Sequence, residues 1–342
     1  MAHTITRDSR GSQAQLGYKV ETTYGTAVVV DSFLPTVPPI GLKPRVGMMS
    51  SAARVPGRIS RLISSDVHYD EGGEGTLTLE ATQADMLEFL RWAIGDAPTS
   101  AAQGGTAAYL HTFEKNLAAA AMSIAGTAMT IQTGVPMRGG AVEPFTFSGC
   151  KCMSWGLNCS PGEIAQLEFT IDAQSAVHTV DLATPTYPAK HAPFSWRDAA
   201  VVKRAGTALP GVNSVAFTAE NGLTGSDRKQ FDGTAKYAEP KLSGEPSATL
   251  ALEIEPSNLA LTYDDWASNT GRAWIVEFVS PTAAAAGYYY TFRITIPDGY
   301  IQGEPPEVNS EELLTHSLNI QANDNGTDPL YKVEVISLEA SI

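Results

Sequence analysis

The 342-residue chain is 43% hydrophobic and 18% charged, too apolar for a disordered polymer and long enough for two packed domains. Its 23 Lys+Arg against 37 Asp+Glu leave a formal charge of −14, which disfavours a protein that grips phosphate backbones. With so few charges, much of the surface must be Ser, Thr, Asn, Gln, Gly and Ala, which suits a β-rich or assembling protein.

In chain order, residues 1–15 read as an N-terminal arm, since Met1 to Ser12 lacks the apolar stretch of a secretory signal. Residues 40–65 hold Lys43, Arg45, Arg54, Arg58 and Arg61 and no acid, and read as a long basic loop. Gly75–Glu80 alternates apolar and polar residues in period two, as a half-buried antiparallel strand does. A helix is predicted over Thr82–Ile94, with Thr82 as cap, Asp85 at the capping-box position and Gly95 as stop. Its Leu87, Leu90 and Ile94 share one face. Leu117–Val135 is mostly small residues and too weakly apolar for a membrane span.

Strand alternation returns at Phe145–Phe147, Leu167–Ile171, Ala248–Ile254, Tyr289–Ile296, Leu318–Ile320 and Tyr331–Ile336. The Pro-rich stretch 183–193 reads as a linker, and a second helix is predicted from Pro256 to near Gly271. The fold class is therefore mostly β and antiparallel, with one short helix in each half.

Internal similarity accounts for the length. Thr76–Glu80 (TLTLE) recurs as Thr249–Glu253 (TLALE) at a shift of 173, and Ala27–Val29 recurs as Ala200–Val202 at the same shift. Trp92-Ala93 recurs as Trp266-Ala267 at 174 and Leu34-Pro35 as Leu209-Pro210 at 175. Phe169-Thr-Ile171 then faces Leu318-Asn-Ile320 at 149, so an insertion in the first half is placed at about 97–128. Two copies of one domain follow, over 16–182 and 194–342, with Leu77, Leu79, Trp92, Leu250, Leu252 and Trp266 as the core of the repeats.

Leu16–Ala27 (LGYKVETTYGTA), with its E-x-x-Y-G-T pattern, and Phe33-Leu-Pro35 after it resemble the start of the tail tube proteins of long-tailed bacteriophages. The resemblance implies tandem β-sandwich or half-barrel tube domains, each flanked by a helix, whose inner strands join those of neighbouring subunits into a ring. Two copies in one chain resemble the fused members of non-contractile tails, which build a pseudo-six-fold ring from three chains. The implied role is a virion protein, made in the host cytoplasm, whose stacked rings form the conduit for DNA ejection. The implied partners are further copies of itself and other tail proteins such as the tape measure, with DNA passing through the lumen without tight binding. An open sheet edge must be paired, covered or charged, and closure into a ring pairs it.

Charge adds a mechanism. The basic loop is a local +5, the remainder of the chain is −19, and Phe292–Ile342 carries nine acids against two bases. Lys43, Arg45, Arg54, Arg58 and Arg61 are the candidate contacts to acidic surface on a neighbouring subunit or ring. An acidic lumen would let DNA slide past.

No catalytic, cofactor or metal site is predicted. Cys150, Cys152 and Cys159 lack a C-x-x-C pair and read as buried thiols of a protein folded in a reducing compartment. Asn323–Asp328 resembles a calcium loop but lacks its terminal Glu, and reads as a hairpin turn. Asp264-Asp265-Trp266 could suggest glycosidase carboxylates, but adjacent acids on a helix diverge, and Trp266 reads as a core residue. The rival readings are another β-rich assembly or adhesion protein (capsid decoration, surface layer or host-binding module) and an acidic carbohydrate-active enzyme.

Overall fold

A computed structural model describes residues 14–52, 56, 66–83, 85–95, 97–115, 128–137, 141–187, 192–198, 201–225, 228–231, 233–255, 263–303 and 315–340. The alternating segments form strands, and every strand pairing among the described residues is antiparallel. The chain runs through β1 (Gln15–Glu21), β2 (Ser32–Leu34), β3 (Lys43–Ser50), β4 (Asp66–Glu80), α1 (Leu87–Ile94), β5 (Thr99–Ala102) and β6 (Tyr109–Glu114). Then come β7 (Ala128–Pro136), β8 (Val142–Cys159), β9 (Gln166–Ala173), β10 (Ser175–Val177), β11 (Val201–Arg204), β12 (Thr207–Ala208) and β13 (Val212–Glu220). It ends with β14 (Ser247–Ile254), α2 (Tyr263–Ser268), β15 (Arg272–Ala285), β16 (Tyr288–Gln302), β17 (His316–Ala322) and β18 (Lys332–Ser337).

One pairing scheme occurs twice. β1 pairs with β2 and β7, as β11 pairs with β12 and β15. β4 lies between β3 and β9, as β14 lies between β13 and β17. β8 pairs with β7, β9 and β10, as β16 pairs with β15, β17 and β18. Leu77 stands opposite Phe169 and Leu250 opposite Ile320, so Phe169 corresponds to Ile320, two residues beyond the Leu318 that sequence spacing indicates. A two-residue slip leaves the same side chains on the core face.

Two pairings cross from one set to the other. β13 adds to the end of β8, and β6, from the Ala/Gly-rich stretch expected as an insertion, adds to β18. A single apolar cluster spans both sets and includes Leu77, Leu79, Trp92, Leu250 and Leu252. Where β8 and β13 meet, the rings of Trp155, Phe217 and Tyr331 lie 5.1–5.9 Å apart, and Trp155 Nε1 donates to the Tyr331 hydroxyl at 3.0 Å. Trp266 departs from expectation. It is half-buried, packs against the edge of the cluster and donates its ring N–H to Gly303 O, because α2 is short and buries only Asp265.

The first helix starts later than predicted. Thr82 bridges to Pro193 and Asp85 adopts φ 69°, which is not helical; the Asp85 N–H goes to the Glu339 carboxylate at 3.0 Å. Tertiary bonds to the 192–193 stretch thus replace the predicted cap, while Gly95 ends the helix at φ 96° as expected. The end of α1 is held by a buried polar clamp. Lys115 Nζ donates to Ile94 O at 3.0 Å and to Asn221 Oδ1 at 2.9 Å, and Asn221 Nδ2 donates to Ala93 O and Cys152 O. A cation at the helix C-terminus complements the dipole as well as the orphan carbonyl. Of the second predicted helix, 256–262 lies outside the described residues, and Asn269 at φ 47° follows its end. The Pro-rich stretch is tied at both described ends: Ala183 exchanges bonds with Gln15 and Gln132, and Phe194 bonds to Ala81 and Ala165.

Candidate assembly surface

The E-x-x-Y-G-T segment is a buried staple. Glu21, 3% exposed, accepts from Gly25 N, Thr130 Oγ1 and Gly149 N at 2.7–2.8 Å. Gly25 stands at φ 74°, a left-handed backbone conformation that favours glycine. Lys151 lies over the Tyr24 ring at 5.8 Å. Phe33 and Leu34 are buried on β2 beside β1, where Gly17 leaves room for the Phe33 ring. The motif therefore fixes β1 and β2 onto β7 and β8.

The basic segment is not wholly a loop. Lys43–Ser50 is strand β3, paired with β4, because glycines and alternating residues on both strands permit a long hairpin. Arg54, Arg58 and Arg61 lie outside the described residues. Lys43 is exposed, 3.7 Å from Glu74. Arg45 turns inward to Asp70, Glu74 and Asp172 at 3.1–3.2 Å and lies over the Tyr237 ring at 5.4 Å. Its side chain is only 17% exposed, so its charge is spent within the chain.

Burial pushes the Asp172 carboxyl up, against the lowering effect of the Tyr237 hydroxyl, which donates to it at 2.7 Å, and of Arg45. Burial and the Asp172 charge also push the Tyr237 hydroxyl up. Lys229 reaches Asp70 at 3.3 Å, and Glu71 N donates to Ala235 O. These contacts seat the connection between β13 and β14 on the β3–β4 hairpin and on β9. The hairpin also exposes Val46, Met48, Met49 and Val67 at 55–61%, an apolar patch that the charge of the segment does not signal.

Of the nine acids in Phe292–Ile342, Glu304, Glu307, Glu311 and Glu312 lie outside the described residues. Glu334 is taken up in a ladder across four strands: Lys203 to Glu277, Glu277 to Arg293, Arg293 to Glu334 and Lys332 to Glu334. Burial raises the Glu277 carboxyl, but its bonds to Lys203 and Arg293 outweigh that and hold it below the usual carboxylate range. A depressed carboxylate stabilises the fold above its unfolded value and loses that contribution as the pH falls through the folded one. Glu277→Gln is expected to cost about 1–2 kcal/mol at neutral pH, discounted for partners about a third exposed. It should also flatten the loss of stability below about pH 5. Urea unfolding at pH 7, 5 and 3 checks this, and a pH dependence equal to that of the parent would refute it.

Cys150, Cys152 and Cys159 are buried free thiols, pushed above their usual range by burial, Cys159 up to about 11. Among the described residues no cluster of three or more His, Cys, Asp or Glu could hold a metal ion. Asp264 and Asp265 diverge: Asp265 is 4% exposed and bridges Arg204 and Arg272, holding α2 to the sheet, while Asp264 faces solvent. Asn323–Asp328 is a turn, with Asn325 Oδ1 accepting from Thr327 N and Asp328 N and with Gly326 at φ 75°. It is not a hairpin turn, since β17 and β18 pair with different ends of β16. Among the described residues no helix is long and apolar enough to cross a membrane, which says nothing of a membrane β-barrel.

A family model described as phage tail tube protein matches residues 11–322, nearly the whole chain. The chain belongs to the phage tail tube protein family, a structural rather than an enzymatic one. Comparison with curated proteins gave no match. The mostly β, antiparallel fold agrees with a tube protein, and membership implies self-assembly into a tube and a place in the virion.

Proposed function

We propose that the chain is the subunit of a hollow tail tube, polymerising as stacked rings around the conduit through which DNA is ejected. The observation that carries this reading is a sheet whose β3 and the end of β16 each keep, among the described residues, one edge without a strand partner, in a chain of the tail tube family. The repeated pairing scheme supports two tandem tube domains, 16–182 and 194–342, joined through 183–193, so that three chains would present six domains to a ring. Lys43 and the arginines at 54, 58 and 61 would meet acidic surface of a neighbouring subunit or ring, and the tape measure protein would be a further partner. The net charge of −14 would keep the lumen from gripping DNA. Synthesis in the host cytoplasm fits three unpaired thiols.

Negative-stain microscopy of the purified chain, with mass measurement of isolated rings, tests the reading. Tubes or stacked rings of three chains are expected; a protein monomeric at all concentrations would overturn it. Charge reversal at Arg54, Arg58 and Arg61 should impair polymerisation, and unimpaired tubes would remove the docking role.

A further inference from the structure

We infer that neighbouring copies join by pairing residues 40–43 of one chain with Tyr300–Gln302 of the next, in the register that the chain already uses between β13 and β8. This deepens the tube reading above and rests on it.

The register follows from the repeated scheme. Lys43 stands opposite Glu74 on β4, and Glu220 stands opposite Ser247 on β14, so β3 with the residues before it corresponds to β13. Trp155 stands opposite Phe169 and Ile301 opposite Ile320, so the end of β16 corresponds to the end of β8. Burial agrees: Ile40 and Leu42 face the cluster while Gly41 and Lys43 are exposed, as Phe217 and Ala219 are buried while Thr218 and Glu220 are exposed. Gly41 N already bonds to Thr76 O, as Thr218 pairs with Thr249.

Within the chain, the other edge of β13 is taken by β8, with Ala219 opposite Trp155 and Glu220 opposite Ser154. Among the described residues, no strand takes the matching edge of β3, nor the edge of Tyr300–Gln302 facing away from β17. Such edges pair with a further strand if one of matching face is offered. Transferring the register sets Lys43 opposite Tyr300, Leu42 opposite Ile301 and Gly41 opposite Gln302, with the buried pair again on the core face.

A second surface matches the same transfer. A groove of about 600 Å³ bordered by Glu74, Thr170 and Asp172 lies beside the β13–β14 connection, whose Gly225 lines it and whose Tyr237 hydroxyl bonds to Asp172. The corresponding groove, about 610 Å³ and bordered by Ser247, Gln321 and Asn323, is lined by Leu242, Gly244, Glu245 and Pro246 from the end of the same connection. Glu245 and Asp324 line it, acids suited to the exposed Lys43 side of an incoming β3–β4 hairpin. The apolar patch on that hairpin would be covered there.

Cysteine cross-linking in assembled material tests the register. Directly opposed residues have Cα atoms about 4.5–5.5 Å apart, within disulfide range, whereas a two-residue diagonal is at about 7–8 Å. Under mild oxidation, the doubly substituted Lys43→Cys/Tyr300→Cys chain should give covalent multimers at least about tenfold faster than Lys43→Cys/Gln302→Cys. Tubes that form normally but do not cross-link through the first pair, or that cross-link equally through both, overturn the edge pairing and leave the tube reading intact. Parent protein that forms no rings or tubes overturns the tube reading and the pairing with it.

Discussion

Trp155→Ala is expected to lower the unfolding free energy by about 4 kcal/mol, near the upper end for core truncations. Its indole is 1% exposed, fills the space between Phe217 and Tyr331, and satisfies the Tyr331 hydroxyl at 3.0 Å. Removal leaves a cavity where β13 joins β8, one of the two pairings that connect the two sets of strands. The loss should appear as a lower urea midpoint and as faster amide exchange along β13 than along β1. Trp155→Phe keeps most of the volume and loses the hydrogen bond, so a cost of about 1–2 kcal/mol is expected. If the alanine variant lost less than about 1 kcal/mol, the two sets would not depend on this contact.

Asn221→Leu should cost about 3 kcal/mol, because it leaves Ala93 O and Cys152 O without their donor and removes one acceptor from Lys115. Lys115→Met should cost about 2–3 kcal/mol by exposing the end of α1. The two residues share one bond, so the double variant should be less destabilised than the sum of the singles. Equilibrium unfolding of the three variants gives the cycle, and strict additivity would show that no coupled clamp exists.

Strand content was legible wherever one face of a strand meets water. Gly75–Glu80 and Ala248–Ile254 alternate because their polar sides are exposed or half-exposed. β8 was legible only at Phe145–Phe147, since Thr146–Cys152 is buried on both faces and the alternation vanishes there. β3 is not legible as a strand because charges and glycines dominate its segment, whereas strand pairing depends on backbone and register. The helix stop at Gly95 was local and legible, whereas its start depends on Pro193 and Glu339, distant in sequence.

The candidate surface divides in the same way. Sequence marks Lys43 and Arg45 alike among five candidate basic contacts, but only the fold separates them: Lys43 points outward, and Arg45 is consumed by Asp70, Glu74 and Asp172. Trp92 and Trp266 are equivalent by spacing, yet one is core and the other rim, because α1 buries six side chains while the shorter α2 buries only Asp265. The tube-protein motif is visible as a pattern, while its physical task, a buried carboxylate holding two backbone amides and a hydroxyl, depends on contacts with residues over a hundred positions away.

The sequence alone determined the mostly β class, the internal similarity, the tail tube resemblance and the excess of acid, since each is written in local alternation, spacing or composition. Tertiary structure alone decided which charges remain outside, how β13 closes on β8 and which strand edges, among the described residues, have no partner. Those depend on contacts between residues tens to hundreds of positions apart, and no local pattern encodes which strand will be the neighbour.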